Sequence, residues 1–172
     1  DTVFQTGSLY IGKEEATLRE ILEALERTYC HTVGAEFMHI VSTEERHWIQ
    51  GRMDGVRSAP EYDAAVKRHL LERLTAAEGL EQFLASRYPG AKRFGLEGGE
   101  SLIPMLDELV QRSGSYGAKE LVVGMAHRGR LAVLVNIFGK SPASLFEEFE
   151  GKATYQGSGD VKYHLGASSD RE

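Results

Sequence analysis

The chain has 172 residues, of which 41% are hydrophobic and 27% charged, enough to bury the core of one ordinary domain, and its formal charge of -6 excludes a general electrostatic footprint for nucleic acid. A single cysteine, Cys30, excludes an internal disulfide or a multi-cysteine metal site, and it reads as a small buried hydrophobe in a reducing compartment. No apolar run approaches the roughly 20 residues that span a membrane, and the opening DTVFQTGSLY lacks a Met as well as the basic start and apolar stretch of a secretion signal.

Thr17 followed by Glu20 forms a capping box, and Leu18, Ile21, Leu22 and Leu25 recur at helical spacing, so residues 18–29 are expected to form an amphipathic helix. Ser42 with Glu45 opens a second helix carrying Trp48, Ile49 and Met53. Ser58, with Pro60 and Glu61 behind it, is expected to open a third holding Val66, Leu70 and Leu74. Thr75 with Glu78 is expected to restart it into Leu80, Phe83, Leu84 and Tyr88, until Pro89-Gly90 stops the run. Leu102, Ile103, Leu106, Leu109 and Val110 give one more helix, so nearly everything through residue 115 is expected to be helical.

The character then changes. ELVVGMA (120–126) is short, apolar and β-branched, bounded by glycines and a polar turn, as a buried strand of a parallel sheet would be. RLAVLVNIF, closed by Gly139, reads as the next helix, with a strand left possible by its β-branched residues. Ser141-Pro142 caps a further helix through SLFEEFE, and GDVKYHLG (159–166) reads as a second strand. The fold class is therefore α/β: a helical block over residues 1–115, then from 116–172 the first strands and helices of a parallel sheet that is incomplete in this chain.

His127, Arg128 and Arg130, gathered around Gly129 in GMAHRGRLAVLVN, fall where the first expected strand ends and a helix begins. In an open α/β sheet that edge is where ligands bind, and the helix start adds unpaired N–H groups. Arginine offers a planar fork for phosphate or carboxylate, and histidine can hold an anion and move a proton near neutral pH. An anion-binding, acid/base-competent corner follows. The residues alone also leave open a structural role, since arginines at a helix start pair with carboxylates of neighbouring segments. His39, His47 and His69 read as surface or satisfied core residues, and Lys140 and Lys162 as solvated. The two adjacent glycines of LEGGES (96–101) before a helix suggest a phosphate cradle, against which Glu97 and Glu100 argue. No P-loop, G-x-G-x-x-G, H-E-x-x-H or G-x-S-x-G is present.

The segments TYCHTVGAEFMHI (28–40), LTAAEGLEQFL (74–84), PGAKRFGLEGGESLIPMLDEL (89–109), GMAHRGRLAVLVN (124–136) and GSGDVKYHLGASSD (157–170) resemble the thiamine-diphosphate-dependent decarboxylating subunits of 2-oxoglutarate dehydrogenases, in order and over nearly the whole chain. The resemblance implies a thiamine-diphosphate-binding, transketolase-like sheet, of which this chain is a fragment from the N-terminal part. It implies that His127 and His164 are catalytic, lying beside the thiazolium and the 2-oxo acid, that Ser168 binds substrate, and that Arg128 lies near the cofactor's diphosphate. Arg130 is expected to support them. The cofactors implied are thiamine diphosphate and Mg2+, with the metal ligands outside this chain and the fragment inactive by itself. The partners implied are 2-oxoglutarate, a lipoyl-bearing dihydrolipoyl succinyltransferase and a second copy in a homodimer, in a bacterial cytoplasm or a mitochondrial matrix. A 2-oxoadipate dehydrogenase, a non-catalytic docking fragment, and another phosphate-handling α/β enzyme sharing only the HRGR corner are the alternatives. The chain departs from the family pattern at His31, at Ala132 and after Asp170.

Overall fold

The computed structural model describes residues 2–152 and 166–170, and its chain divides into two compact units, Asp1–Asp63 and Ala64–Glu172.

In the first unit, strands β1 (Val3–Gln5) and β2 (Glu15–Thr17) pair antiparallel with Val3 opposite Thr17, Phe4 opposite Ala16 and Gln5 opposite Glu15. Nothing in the periodicity announces this hairpin, because a three-residue strand offers at most one alternation of faces and Val3 and Phe4 are exposed. β2 runs directly into helix α1 (Leu18–Tyr29), which begins as its capping box requires. The Thr17 hydroxyl accepts from the Glu20 N–H at 3.3 Å, and the Glu20 carboxylate accepts from the Thr17 N–H at 2.9 Å. That carboxyl is held down to about 2, first by its bond to the Lys13 ammonium and then by the Thr17 N–H. Cys30 follows α1 as its C-cap and is exposed rather than buried, while Thr28 is the buried residue of the last turn.

Helix α2 (Thr43–Val56) is capped by Ser42, whose hydroxyl accepts from Glu45 N–H at 3.3 Å. Its end corrects one expectation. Arg57 and Ser58 both take positive φ, 52° and 50°, and the Ser58 N–H donates back to the Met53 carbonyl at 3.1 Å. That six-to-one bond is a Schellman closure, so Ser58 terminates α2 instead of opening the next helix. The unit is tied together by buried Asp54, whose carboxylate accepts from the Tyr29 hydroxyl at 2.7 Å and from the Tyr10 N–H and Gln50 Nε2 at 3.3 Å each. Burial and that bond push the Tyr29 phenol well above its ordinary range. Arg57 then donates from Nη2 to the Ile11 carbonyl at 2.7 Å, fixing the loop before β2.

The second unit opens with α3 (Ala64–Arg87), 24 residues without interruption. The expected restart at Thr75 does not occur, because no proline breaks the run and the cost of Gly79, about 1 kcal/mol in a helix interior, is offset by the burial of Ala77 and Leu84 on either side of it. Pro89-Gly90 stops the helix, with Gly90 at φ 79°. α4 (Leu102–Ser115), α5 (Arg130–Asn136) and α6 (Pro142–Phe149) follow, the last with its proline in the first turn as expected.

α5 resolves the helix-or-strand ambiguity in favour of a helix and is the centre of this unit. Leu131, Ala132, Val133 and Leu134 are all buried, which is why its sequence shows an almost unbroken apolar run in place of an amphipathic stripe. Ala132, Val133 and Ile137 pack with Ala77, Leu96 and Ile103, while Leu131 and Leu134 pack with Leu84 and Leu145. The buried positions Ala77 and Leu84, two turns apart on α3, thus meet the two sides of α5. Lys140 is not solvated: it is 17% exposed and paired with Glu148 of α6.

ELVVGMA forms no strand; Leu121 is 44% and Val122 96% exposed. A parallel strand exists only beside a hydrogen-bonded neighbour, and the second expected strand, residues 159–166, lies outside the described residues except for Gly166. Lys162 lies outside them too. The described fold is accordingly helical with one small antiparallel sheet, compatible with the opening part of an α/β fold. None of its helices is long and apolar enough to cross a membrane.

Candidate functional site

The HRGR corner is built from two sequence blocks that meet in space. Gly129 is the N-cap of α5 and takes φ 73°, a conformation that a glycine adopts without penalty. Its N–H donates to the Phe94 carbonyl at 2.7 Å, and the N–H of Arg130, the first residue of α5, closes a turn onto the His127 carbonyl at 3.0 Å. These bonds turn the chain sharply between the irregular stretch before it and the helix. They present His127 and Arg128 at the surface while Gly129 is buried and Arg130 half-buried.

RFGLEGGES wraps this turn from the other side. The Phe94 ring stacks on the His127 imidazole, centroids 4.6 Å apart and planes inclined by 20°. Arg128 donates from Nη2 to the Glu97 carbonyl at 2.6 Å. Beneath them Leu96, 3% exposed, packs so closely against Gly129 that a Cβ there would lie 2.5 Å from Leu96 Cδ1. Phe94 itself sits at φ 48°, unusual for an aromatic residue, and this conformation lets it turn its ring to His127 and its carbonyl to Gly129 together.

The loop's own charges are answered locally. The Glu97 carboxyl is held below the usual carboxylate range, first by its own backbone N–H and then by Arg93, 3.1 Å away, with Arg128 adding to the effect. The Gly98 N–H donates to the Glu100 carboxylate at 2.8 Å and the Gly99 N–H to the Leu96 carbonyl at 2.7 Å. The cradle that two adjacent glycines suggested is therefore turned onto the chain's own acceptors, as Glu97 and Glu100 foreshadow. RFGLEGGES serves instead as the wall against which the HRGR corner is set.

His127 and Arg128 are thus brought to one exposed corner, a histidine held by a ring and an arginine anchored by one of its five N–H donors. Ser168 stands in an exposed, non-helical stretch, residues 166–170, and His164 lies outside the described residues. His69 pairs with Asp107 at 2.7 Å, joining α3 to α4, while His39 and His47 are exposed. Phe94, Leu96 and Glu97, which frame the corner, carry no chemical signature of that role in the sequence. The only sequence signal for them was that the RFGLEGGES and HRGR blocks both carry the family resemblance. No group of three or more His, Cys, Asp or Glu side chains suited to a metal ion occurs among the described residues.

Among known proteins, the chain is 66% identical over 170 residues to the 2-oxoglutarate dehydrogenase E1 component of Azotobacter vinelandii, covering 98% of this chain and 18% of that protein. It is 55% identical over 171 residues to the protein of the same name from Cupriavidus necator, covering 99% of this chain and 18% of the relative. To the Brucella anthropi protein, also of that name, it is 52% identical over 166 residues, covering 94% of this chain and 17% of the relative. No protein-family model matches the chain. The chain spans under a fifth of the length of these curated relatives.

Proposed function

We propose that the chain is part of a 2-oxoglutarate dehydrogenase E1 component, and that the polypeptide carrying it decarboxylates 2-oxoglutarate with thiamine diphosphate and passes the succinyl group to a lipoyl group of a dihydrolipoyl succinyltransferase. The observation that carries this reading is sequence identity of 66%, 55% and 52% over 94–99% of the chain. In this reading the helical block through residue 115 leads into a thiamine-diphosphate-binding α/β domain that starts at residue 116, and the enzyme works as a homodimer in the bacterial cytoplasm.

Arg128 fits the cofactor's diphosphate. Its guanidinium is exposed, tethered through one nitrogen to the Glu97 carbonyl, and forked for phosphate oxygens. Magnesium has no matching donor set among the described residues, so no residue here is assigned to it. Bound thiamine diphosphate supplies the electron sink that loss of carbon dioxide from a 2-oxo acid requires. The chain's own residues bind and polarise. The His127 imidazole, held flat against Phe94, hydrogen-bonds the substrate's oxo oxygen or distal carboxylate and holds a proton where negative charge develops. His164 is the second such histidine and Ser168 a hydroxyl for the substrate. Arg130, half-buried at the first position of α5, supports the turn.

The test is decarboxylation by the full-length polypeptide with thiamine diphosphate and Mg2+, offered 2-oxoglutarate and 2-oxoadipate in parallel. One extra methylene changes transition-state binding by about 1–3 kcal/mol. The expected result is cofactor-dependent turnover with kcat/KM for 2-oxoglutarate roughly 10-fold or more above that for 2-oxoadipate. A preference for 2-oxoadipate would reassign the substrate, and no cofactor-dependent turnover of either would refute the reading.

A further inference from the structure

We propose that Glu81 is a positioning residue for the active site: from α3 it grips the Leu96 N–H and thereby fixes the turn on which His127 and Arg128 rest. This inference rests on the functional reading above, and it concerns a residue of LTAAEGLEQFL that lies on the packed face of α3, between buried Ala77 and Leu84.

Glu81 is half-buried, and its Oε1 accepts from the Leu96 N–H at 2.6 Å, a bond between groups 15 residues apart in sequence. A glutamate on a helix surface ordinarily stays in water; burying its charge is unfavourable unless a donor meets it. Here burial raises the carboxyl, the Leu96 N–H and Arg93 oppose that rise, and Glu97 and Glu100 add to it. The grip lands at the one residue through which the whole corner is stacked. Leu96 is buried directly under Gly129. Phe94, two residues before it, accepts the Gly129 N–H and stacks on His127. Glu97, the next residue, accepts from Arg128. Releasing Leu96 from Glu81 would leave a buried N–H unpaired and free the segment 94–97 to move as a piece, carrying the support of both His127 and Arg128 with it.

Glutamine at this position keeps an acceptor in the same place without charge, leucine removes the acceptor while keeping apolar bulk, and aspartate withdraws the carboxylate by one methylene. The experiment compares Glu81→Gln, Glu81→Leu and Glu81→Asp in the full-length polypeptide. It reads amide hydrogen exchange in peptides covering residues 92–99 and 126–131, thiamine diphosphate affinity, and kcat and KM for 2-oxoglutarate. Glu81→Leu is expected to speed exchange in both peptides together, and to weaken cofactor binding and raise KM by about 10-fold or more, while Glu81→Gln stays within about 3-fold of wild type in every reading. If Glu81→Leu does not fold, Glu81→Asp decides by the same readings and is expected to fall on the impaired side. Unchanged exchange over 126–131 in the folded acceptor-deficient variant, or a Glu81→Gln variant as impaired as it, would overturn the proposal. Should the wild-type polypeptide show no thiamine-dependent decarboxylation, the functional reading fails, and the exchange measurements alone decide whether Glu81 holds the corner.

Discussion

In the full-length polypeptide, His127→Ala is expected to lower kcat and kcat/KM for 2-oxoglutarate together by roughly 100-fold, the effect of about 3 kcal/mol that follows when one preorganised donor to developing charge is removed. The equal fall in both parameters matters, because it distinguishes a contact made at the transition state from one that merely holds substrate, which would raise KM alone. Folding should be little affected, since the imidazole is exposed and its stacking partner Phe94 retains the backbone bond to Gly129. Steady-state kinetics with the cofactor at saturation checks this. Turnover within about threefold of wild type would make the first contact with substrate untenable for His127.

Gly129→Ala should damage stability and activity together. The substitution has two independent costs. An L-residue at φ 73° is strained by about 1–2 kcal/mol. Its Cβ would in addition lie 2.5 Å from Leu96 Cδ1, and Leu96 has little freedom to retreat, being 3% exposed among Ala77, Ile103, Ala132 and Val133. Forcing a methyl group into such a core costs a further 1–3 kcal/mol or so. Denaturant unfolding should therefore show a loss of about 2–5 kcal/mol, and because Leu96 shares its segment with Phe94 and Glu97, the surviving folded fraction should bind cofactor and substrate more weakly. A variant as stable and as active as wild type would mean that the close contact beneath the corner does not constrain it.

Local rules were legible wherever a side chain's own chemistry decides the outcome. The Thr17–Glu20 box and the Ser42 cap start α1 and α2 where they should, and Pro142 sits in the first turn of α6. Ser58 shows the limit: a serine followed by proline and acid has the composition of a helix start, yet two successive positive-φ residues and a bond back to Met53 make it a helix end. Thr75–Glu78 carries the same signature inside α3, where it starts nothing, because a helix already running has no unpaired N–H groups for a cap to satisfy. ELVVGMA has the composition of a strand and lacks a neighbour to pair with among the described residues.

At the site, the residue types at HRGR pointed to an anion-binding corner; the turn at Gly129 leads into α5 as expected, while the residues before it form no strand. What pattern alone does not yield is the wall. Phe94 depends on a left-handed backbone angle that no propensity assigns to phenylalanine, Arg128 meets a backbone carbonyl and not a side chain, and Glu81 reaches across 15 residues to an amide. These are tertiary facts, fixed by how α3, α5 and the 93–101 loop pack.

The most direct measurement is a structure of the full-length polypeptide with thiamine diphosphate and a non-reactive analogue of 2-oxoglutarate bound. The account predicts a ring nitrogen of His127 within hydrogen-bond reach, about 3 Å, of the analogue, and the Arg128 guanidinium directed at the diphosphate, with Phe94 still stacked beneath the imidazole. An imidazole turned away from both ligands and bonded to a neighbouring carboxylate would contradict it.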